Sequence, residues 1–232
     1  MRLLISGATR SMERFAADPM YRQHIGHLWT PATGNCLIRQ AATGLPWACD
    51  NAAFGHQWNT ERFQKAILFK VHHCPVRPLF VPVPDVVGDS RATLDLFFIW
   101  QPIMKAAGLM PALVLQDGSE NQLLPWQLFD TVFVGGSRKY TNGVWGKGPF
   151  IEWKESKAAA DLIREAKRRG KKIHAGRVNG LKRLRHFFDL HVDTADGSSL
   201  SMYPDTWVPK FVQARREWQH NARSIPLTAA VS

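Results

Sequence analysis

The stretch KIHAGRVNGLKRLRHFFDLHVDTAD, residues 172–196, contains a complete strand, helix and strand in sequence order. KIHAG and VDTAD are short apolar runs, whereas NGLKRLRHFFDL between them has the spacing of an amphipathic helix. Two strands joined through a helix form the unit from which parallel sheets are built. The same alternation recurs along the chain and predicts an α/β protein.

Eight apolar runs are candidate strands: RLLISG, NCLIR, WACD, LFVPV, ALVLQ, TVFVGG, KIHAG and VDTAD. The helical stretches are TERFQKAILF, SRATLDLFFIWQPIMKAAG, WKESKAAADLIREAKRRG, NGLKRLRHFFDL and a closing WVPKFVQARREWQHNARS. Residues 9–35 and 137–152 show no clear period and are predicted to be long loops. This pattern predicts a compact (β/α)8 TIM-type barrel that spans residues 1–232 as a single domain, with a doubly wound open sheet as the alternative.

The composition indicates a globular protein with a strong positive charge. Of its 232 residues, 45% are hydrophobic and 21% are charged, and the formal net charge is +11. Such a surplus is typical of proteins that bind an anionic partner such as nucleic acid or a membrane surface. Because no apolar run approaches the roughly 18 residues of a membrane span, we expect a cytoplasmic protein with no membrane partner.

Polar residues follow the predicted strands at the ends where barrel enzymes carry their active sites. They are Asp50, Asp85, Asp89, Gln116, Asp117, Gly135, Gly136, His174, Arg177 and Asp196. Together they predict a rim of carboxylates and amides around one mouth of the barrel. Two have simpler interpretations, because Asp89 precedes a helix and suits an N-cap, and His174 suits the core or a position behind the site.

Four of these strand ends resemble motifs of the tRNA-guanine transglycosylases. ACDNAAF resembles their D-S-G-G-F segment, LVLQDG their strand ending in Gln-Gly, FVGGS their Gly-Gly base-binding turn, and VDTAD their V-D-x-x-D nucleophile strand, in the same order over residues 47–197. VPVPDVVGDSRATLDLF, LVLQDG and HAGRVNGLKRLRHF are similar to the short DNA-guanine transglycosylases of phages and bacteria (the DpdA type). The resemblance implies a pentosyltransferase that exchanges guanine in DNA for a 7-deazaguanine such as preQ0, in the host cytoplasm if a phage encodes it.

The resemblance implies a double displacement by two acids. Asp196 matches the family's nucleophile, and Asp50 matches the acid that acts in proton transfer. The residue types suit this chemistry, because a carboxylate can trap the oxocarbenium-like state at C1′ covalently, as in retaining glycosidases. A second carboxyl must then protonate the departing guanine and take a proton from the incoming base.

The base pocket is also implied by the matching motifs. Asp89, and less directly Asp85, corresponds to the acid that reads the guanine edge. Gln116 and the backbone around Gly135 and Gly136 complete the pocket.

The sequence departs from the tRNA enzymes in several places, and the apparent absence of the module that helps them grip tRNA favours DNA as the substrate. Their zinc cluster C-x-C-x-x-C has no counterpart, because Cys36, Cys49 and Cys74 are widely spaced and no cysteine follows. The sequence therefore predicts no zinc, no other cofactor and no C-terminal zinc subdomain. After Gly-Gly, SRKYTNG replaces a small apolar run and a Glu, which leaves open which incoming base is accepted.

Basic residues near the predicted mouth are candidates for nucleic-acid binding. Arg138, Lys139 and Lys147 accompany Tyr140 and Trp145 in the segment SRKYTNGVWGKG, and such mixtures suit phosphate contact with base stacking.

Arg177 is a further candidate, which could bind a phosphate, orient Asp196 or cap a helix. The target nucleotide would have to be flipped out or unpaired, because C1′ is inaccessible in a stacked duplex. The alternatives are a tRNA-guanine transglycosylase, a nucleoside hydrolase, and a non-catalytic nucleic-acid-binding barrel whose acids are helix caps. The oligomeric state is left open.

Overall fold

The computed structural model describes residues 1–7, 9–30, 40, 42–51, 67, 76–140 and 150–223. Its strands are β1 (Arg2–Ile5), β2 (Ile25–Trp29), β3 (Trp47–Cys49), β4 (Val81–Pro82), β5 (Pro111–Leu115), β6 (Thr131–Val134), β7 (Arg138–Tyr140), β8 (Phe150–Glu152), β9 (Lys172–Ala175) and β10 (Thr194–Asp196). Its helices are α1 (Thr9–Ala17), α2 (Pro19–Arg22), α3 (Ser90–Ala106), α4 (Lys157–Arg168), α5 (Leu181–Asp189), α6 (Ser198–Met202) and α7 (Pro204–Arg223). No helix in these ranges is long and apolar enough to cross a membrane.

Eight parallel strands form one sheet in the order β3-β2-β1-β10-β9-β6-β5-β4. The two outer strands meet, because the N–H of Leu79 donates to the carbonyl of Trp47 at 2.7 Å and the N–H of Cys49 donates to that of Phe80 at 3.2 Å. The sheet is therefore a nearly closed barrel with helices between its strands. This confirms the predicted (β/α)8 TIM-type fold.

The predicted helices from residue 90 onward are present, and their ends follow from local chemistry. Asp89 caps α3, and Ser156 caps α4 by accepting a hydrogen bond from the N–H of Ala159 at 3.2 Å. Gly108 and Gly170 follow α3 and α4 with φ of 72° and 71°, the left-handed backbone that ends many helices.

Residues 9–35 were wrongly predicted to be a loop, because α1, α2 and β2 lie within this stretch. Strand β2 has the sequence IGHLW, in which Gly26 and His27 interrupt the apolar pattern although every residue is buried. Gly26 is required by packing, since a Cβ there would lie 2.5 Å from the carbonyl oxygen of Pro46. His27 is satisfied in the core by a 2.9 Å hydrogen bond to the hydroxyl of Thr43. The place between β1 and β3 is therefore taken by β2.

The second predicted loop, residues 137–152, was also wrong in part. Its two ends are β7 and β8, which pair as an antiparallel hairpin. The predicted strand NCLIR (residues 35–39) lies outside the described residues, and the predicted helix TERFQKAILF (residues 60–69) does so except for Ile67, which is helical.

The barrel interior is filled by residues that alternate with those facing the helices. Leu4, Leu28, Ala48, Phe80 and Ala112 form this inner cluster, and Phe133 packs against it. The larger core lies between the strands and the surrounding helices. The filled interior closes the barrel beneath its C-terminal mouth.

Candidate active site

A cavity lies at the C-terminal mouth of the barrel, where the strand ends were predicted to converge. The predicted residues that line it are Asp50, Asp85, Gln116, Gly135, Gly136, Arg177 and Asp196. Asn51, Val87, Val114, Phe133, Lys154 and Gly176 complete the lining. Three carboxyl groups and one ammonium group therefore share one small space with an apolar wall.

Asp196 ends β10, and its side chain is held by one oxygen. Oδ1 accepts hydrogen bonds from Nε2 of His174 at 3.0 Å and from the N–H of Arg177 at 3.1 Å. The described part of the chain places no hydrogen-bond donor on Oδ2. Since the side chain is still 14% exposed, one oxygen orients the carboxylate and the other is available to a ligand.

His174 is fully buried between Phe80 and Phe133, with ring centroids 5.0 and 4.6 Å away. Its Nδ1 lies 2.9 Å from the hydroxyl of Thr194. A carboxylate can only accept, so Nε2 carries the proton that faces Asp196, and in the neutral ring Nδ1 accepts from Thr194. His174 therefore lies in the core behind the site, as its simpler interpretation predicted. The hydroxyl of Thr194 determines which ring nitrogen carries the proton.

The peptide unit between Gly176 and Arg177 links Asp196 to a buried lysine. Its N–H is the donor to Asp196, and its carbonyl accepts from Nζ of Lys154 at 2.7 Å. Arg177 has a φ of 56°, a left-handed conformation that is rare outside glycine. The backbone N–H of Arg177 orients Asp196, while the exposed side chain lies at the mouth.

Lys154 lines the cavity and is buried in an ion-pair network. Its Nζ lies 3.3 Å from Oε2 of Glu152, and Arg183 lies 3.2 Å from the same oxygen. Burial lowers the pKa of Lys154, which Glu152 and Asp196 oppose by their negative charge. Glu152 keeps a partner in Arg183 if the lysine is lost.

Asp85 follows β4 and is held by two amides. Nδ2 of Asn51 donates to Oδ1 at 2.6 Å, and Nε2 of Gln116 donates to Oδ2 at 2.6 Å. Burial raises the pKa of Asp85 to about 6; the two hydrogen bonds oppose this shift, and the nearby charge of Asp50 adds to it. Asp50 and Asp85 are therefore an interacting pair of carboxyls.

Gln116 is fixed by three hydrogen bonds. Its Oε1 accepts from the N–H groups of Gly88 and Gly136, both at 2.9 Å, so its amide nitrogen must face Asp85. The N–H of Gly135 donates to the carbonyl of Leu115 at 3.0 Å. The N–H groups of Gly135 and Gly136 both donate to acceptors within the protein. A bound base would therefore contact other atoms of this turn.

Asp89 does not take the place that the resemblance implied. Its side chain is exposed and accepts a 3.0 Å hydrogen bond from the N–H of Ala92, as the N-cap of α3. The carboxyl that reaches the cavity from this loop is Asp85. The simpler interpretation of Asp89 fits the structure.

The predicted nucleic-acid residues are only partly described. Arg138 and Lys139 lie on β7 beside the mouth, without a described side chain, and Lys147 and Trp145 lie outside the described residues. The start of the hairpin is anchored where Asp117 accepts hydrogen bonds from the N–H and hydroxyl of Ser137, at 2.7 and 2.9 Å.

Two polar residues of the lining, Asn51 and Lys154, were not among the predicted site residues. Asn51 directly follows Asp50, so its position after a strand was a usable signal. Lys154 follows β8, and no strand was predicted there. No group of three His, Cys, Asp or Glu side chains within the described ranges could hold a metal ion, and the absence of zinc stays a prediction.

Comparisons with known proteins add no relative: no protein-family model matches the chain, and no curated protein does. The cavity and its side chains are therefore the basis on which a function can be inferred.

Proposed function

We propose that this protein is a DNA guanine transglycosylase that replaces guanine by a 7-deazaguanine base through a covalent Asp196 intermediate. The observation that supports this most directly is the cavity that Asp196 shares with Asp50 and Asp85. An oriented carboxylate and a second carboxyl with proton-transfer capacity are the two groups that base exchange at C1′ needs.

In the first displacement, Oδ2 of Asp196 attacks C1′ of the target nucleotide as the bond to N9 of guanine breaks. A second carboxyl protonates the departing base, so that neutral guanine leaves. In the second displacement, that carboxylate takes the N9 proton of the incoming 7-deazaguanine. The base then attacks C1′ and releases Asp196 as a carboxylate.

The two remaining acids suit different tasks. Both oxygens of Asp85 lie against amide donors, which hold a carboxylate in place to accept from the N1–H and 2-amino groups of guanine. This assigns recognition of the guanine edge to Asp85 in place of Asp89. Asp50 is then the acid for proton transfer, as the resemblance implies.

The polymer is assigned from charge and from the missing zinc motif. A net charge of +11 favours a nucleic acid, and Arg177 with the β7 and β8 hairpin places basic residues beside the mouth. The C1′ atom and the guanine edge are inaccessible in a stacked duplex, so the target nucleotide must leave the base stack to reach the cavity.

Exchange of labelled guanine into DNA and into tRNA, with added preQ0, tests the proposal. Asp196→Asn should abolish exchange and prevent trapping of a DNA adduct, while DNA affinity stays within about threefold because the phosphate contacts are unchanged. Asp89→Asn is the matched control, because asparagine also caps helices and Asp89 lies away from the cavity.

Normal exchange by Asp196→Asn would exclude the mechanism. Exchange into tRNA alone would reassign the polymer, and release of free guanine without exchange would indicate a hydrolase.

A further inference from the structure

A second cavity lies at the opposite, N-terminal end of the barrel. Its lining residues are Met1, Arg2, Gln23, Leu79, Phe80, Thr131, Lys172, Ile173, Asp193, Thr194 and Arg215. Most of them lie at or just before the first residues of strands, whereas Asp196 ends β10 at the other mouth. Three of the lining side chains are cationic, whereas three carboxyl groups line the cavity at the C-terminal mouth.

Arg2 and Arg215 are half-buried, and their guanidinium groups are incompletely hydrogen-bonded. The Nε atoms of Arg2 and Arg215 are buried, and neither has a hydrogen-bond partner in the described part of the chain. Other nitrogens of these side chains reach only neutral groups, namely the carbonyls of Gln23 and Met1 and the ring of His24. An unsatisfied buried donor is costly, and more so on a charged group.

Asp193 is the carboxylate that lines this cavity, and it pairs with a cation other than the two arginines. Oδ2 of Asp193 accepts from Nζ of Lys167 at 2.6 Å and from the N–H of Ile173 at 2.7 Å. Arg2 and Arg215 are close enough to repel each other, and burial lowers the pKa of both. None of the ion pairs among the described residues includes either arginine.

We propose that this cavity binds a phosphate-type anion between Arg2 and Arg215. Guanidinium groups pair with phosphate oxygens through several N–H donors, and a dianion in this cavity would offset the repulsion between the two arginines. Lys172 and the hydroxyl of Thr131 lie on the same lining and provide further contacts. The site does not depend on the proposed function, because Asp196 lies at the other end of the barrel.

Thermal unfolding in sodium phosphate and in sodium chloride at equal ionic strength tests the proposal. We expect Tm to rise with phosphate concentration beyond the effect of chloride, because a ligand of the folded state stabilises it. Arg2→Met should remove this phosphate-specific rise and weaken phosphate binding by at least about tenfold in calorimetry, the size of a lost charge-assisted hydrogen bond. In chloride its Tm should not fall, since one of two repelling cations is gone.

Arg91→Met is the matched control, because Arg91 is an exposed arginine on α3 that pairs with Asp95. It should retain the full phosphate effect. Arg215→Met applies the same test to the second arginine. If Arg2→Met does not fold, Arg2→Lys takes its place in the same measurements. Equal effects of phosphate and chloride, or an unchanged phosphate effect in Arg2→Met, would overturn the proposal.

Oligonucleotides distinguish the sources of the phosphate. Competition only by 5′-phosphorylated strands would indicate a free or terminal phosphate, and competition by strands of either kind would indicate the nucleic-acid backbone.

Discussion

Lys154 and Asp196 bind opposite ends of one peptide unit, the unit that joins Gly176 to Arg177. An ammonium group on the carbonyl polarises the peptide, and its N–H becomes a stronger donor to the carboxylate. Lys154 thus acts on the proposed nucleophile without touching it. It is a positioning residue.

Replacement of Lys154 by methionine should lower kcat for base exchange about tenfold to hundredfold, the effect of losing a charge-assisted hydrogen bond. KM for DNA should hardly change.

Lys171→Met is the control for this variant, since Lys171 also donates to a backbone carbonyl, that of Phe129, but near the N-terminal end of β9. A Lys154→Met enzyme with a lower Tm and an unchanged kcat would show that the lysine only stabilises the fold.

Thr194→Val should weaken catalysis through the tautomer of His174. The valine cannot donate to Nδ1, so the proton is no longer confined to the nitrogen that faces Asp196. We expect a several-fold lower kcat and a loss of about 1–3 kcal/mol in the free energy of unfolding, because a buried acceptor is left without a partner.

The double variant Thr194→Val/His174→Phe separates these two effects. Replacement of both polar partners by apolar groups should recover part of the stability and none of the activity. Recovered activity would contradict the role given to His174.

Asp85 should make stability depend on pH. Its pKa is raised from 3.8 to about 6 in the folded protein, so the folded state binds the proton more tightly than the unfolded state. The stability that this provides is complete below pH 3.8 and is lost as the pH rises through about 6. The loss amounts to about 3 kcal/mol.

Denaturant unfolding of wild type and Asp85→Asn between about pH 4 and pH 7 measures this loss. The variant should gain stability relative to wild type over that range. Parallel curves would mean that Asp85 titrates normally in the folded protein.

Gly135→Ala should abolish exchange, because the new Cβ would lie 2.8 Å from Nε2 of Gln116 and displace the amide that holds Asp85. Gly170→Ala is the matched control. Gly170 has a φ of 71° and open space around its Cβ position, so alanine there should cost about 1–2 kcal/mol of stability and no activity. Equal exchange activities of Gly135→Ala and Gly170→Ala would show that the position of the Gln116 amide does not affect the reaction.

The sequence predicted most of the barrel because its strands are continuous apolar runs followed by polar residues. It failed at β2, where packing requires Gly26 and a core hydrogen bond accommodates His27. Neither reason is visible in a local pattern. The site followed the same rule, since Asp196 ends β10, Asp50 directly follows β3, and Asp85 lies shortly after β4.

The choice between Asp85 and Asp89 could not be made from spacing, because the two are four residues apart on one loop. Only the start of α3 decides which carboxyl is used as a cap. Lys154 was hidden for a different reason. Its effect on Asp196 passes through a peptide group contributed by another strand end.

The barrel closes between β3 and β4, where a strand of only two residues is joined to its neighbour by few backbone hydrogen bonds. Asn51 lies shortly after β3 and Asp85 lies shortly after β4, and the hydrogen bond between their side chains joins the two sides of this seam. A wider gap at this seam would move Asp50 away from Asp85 and weaken the effect of the Asp50 charge on the pKa of Asp85. The hydrogen bond that joins the two strand ends therefore also positions Asp85 and affects its protonation.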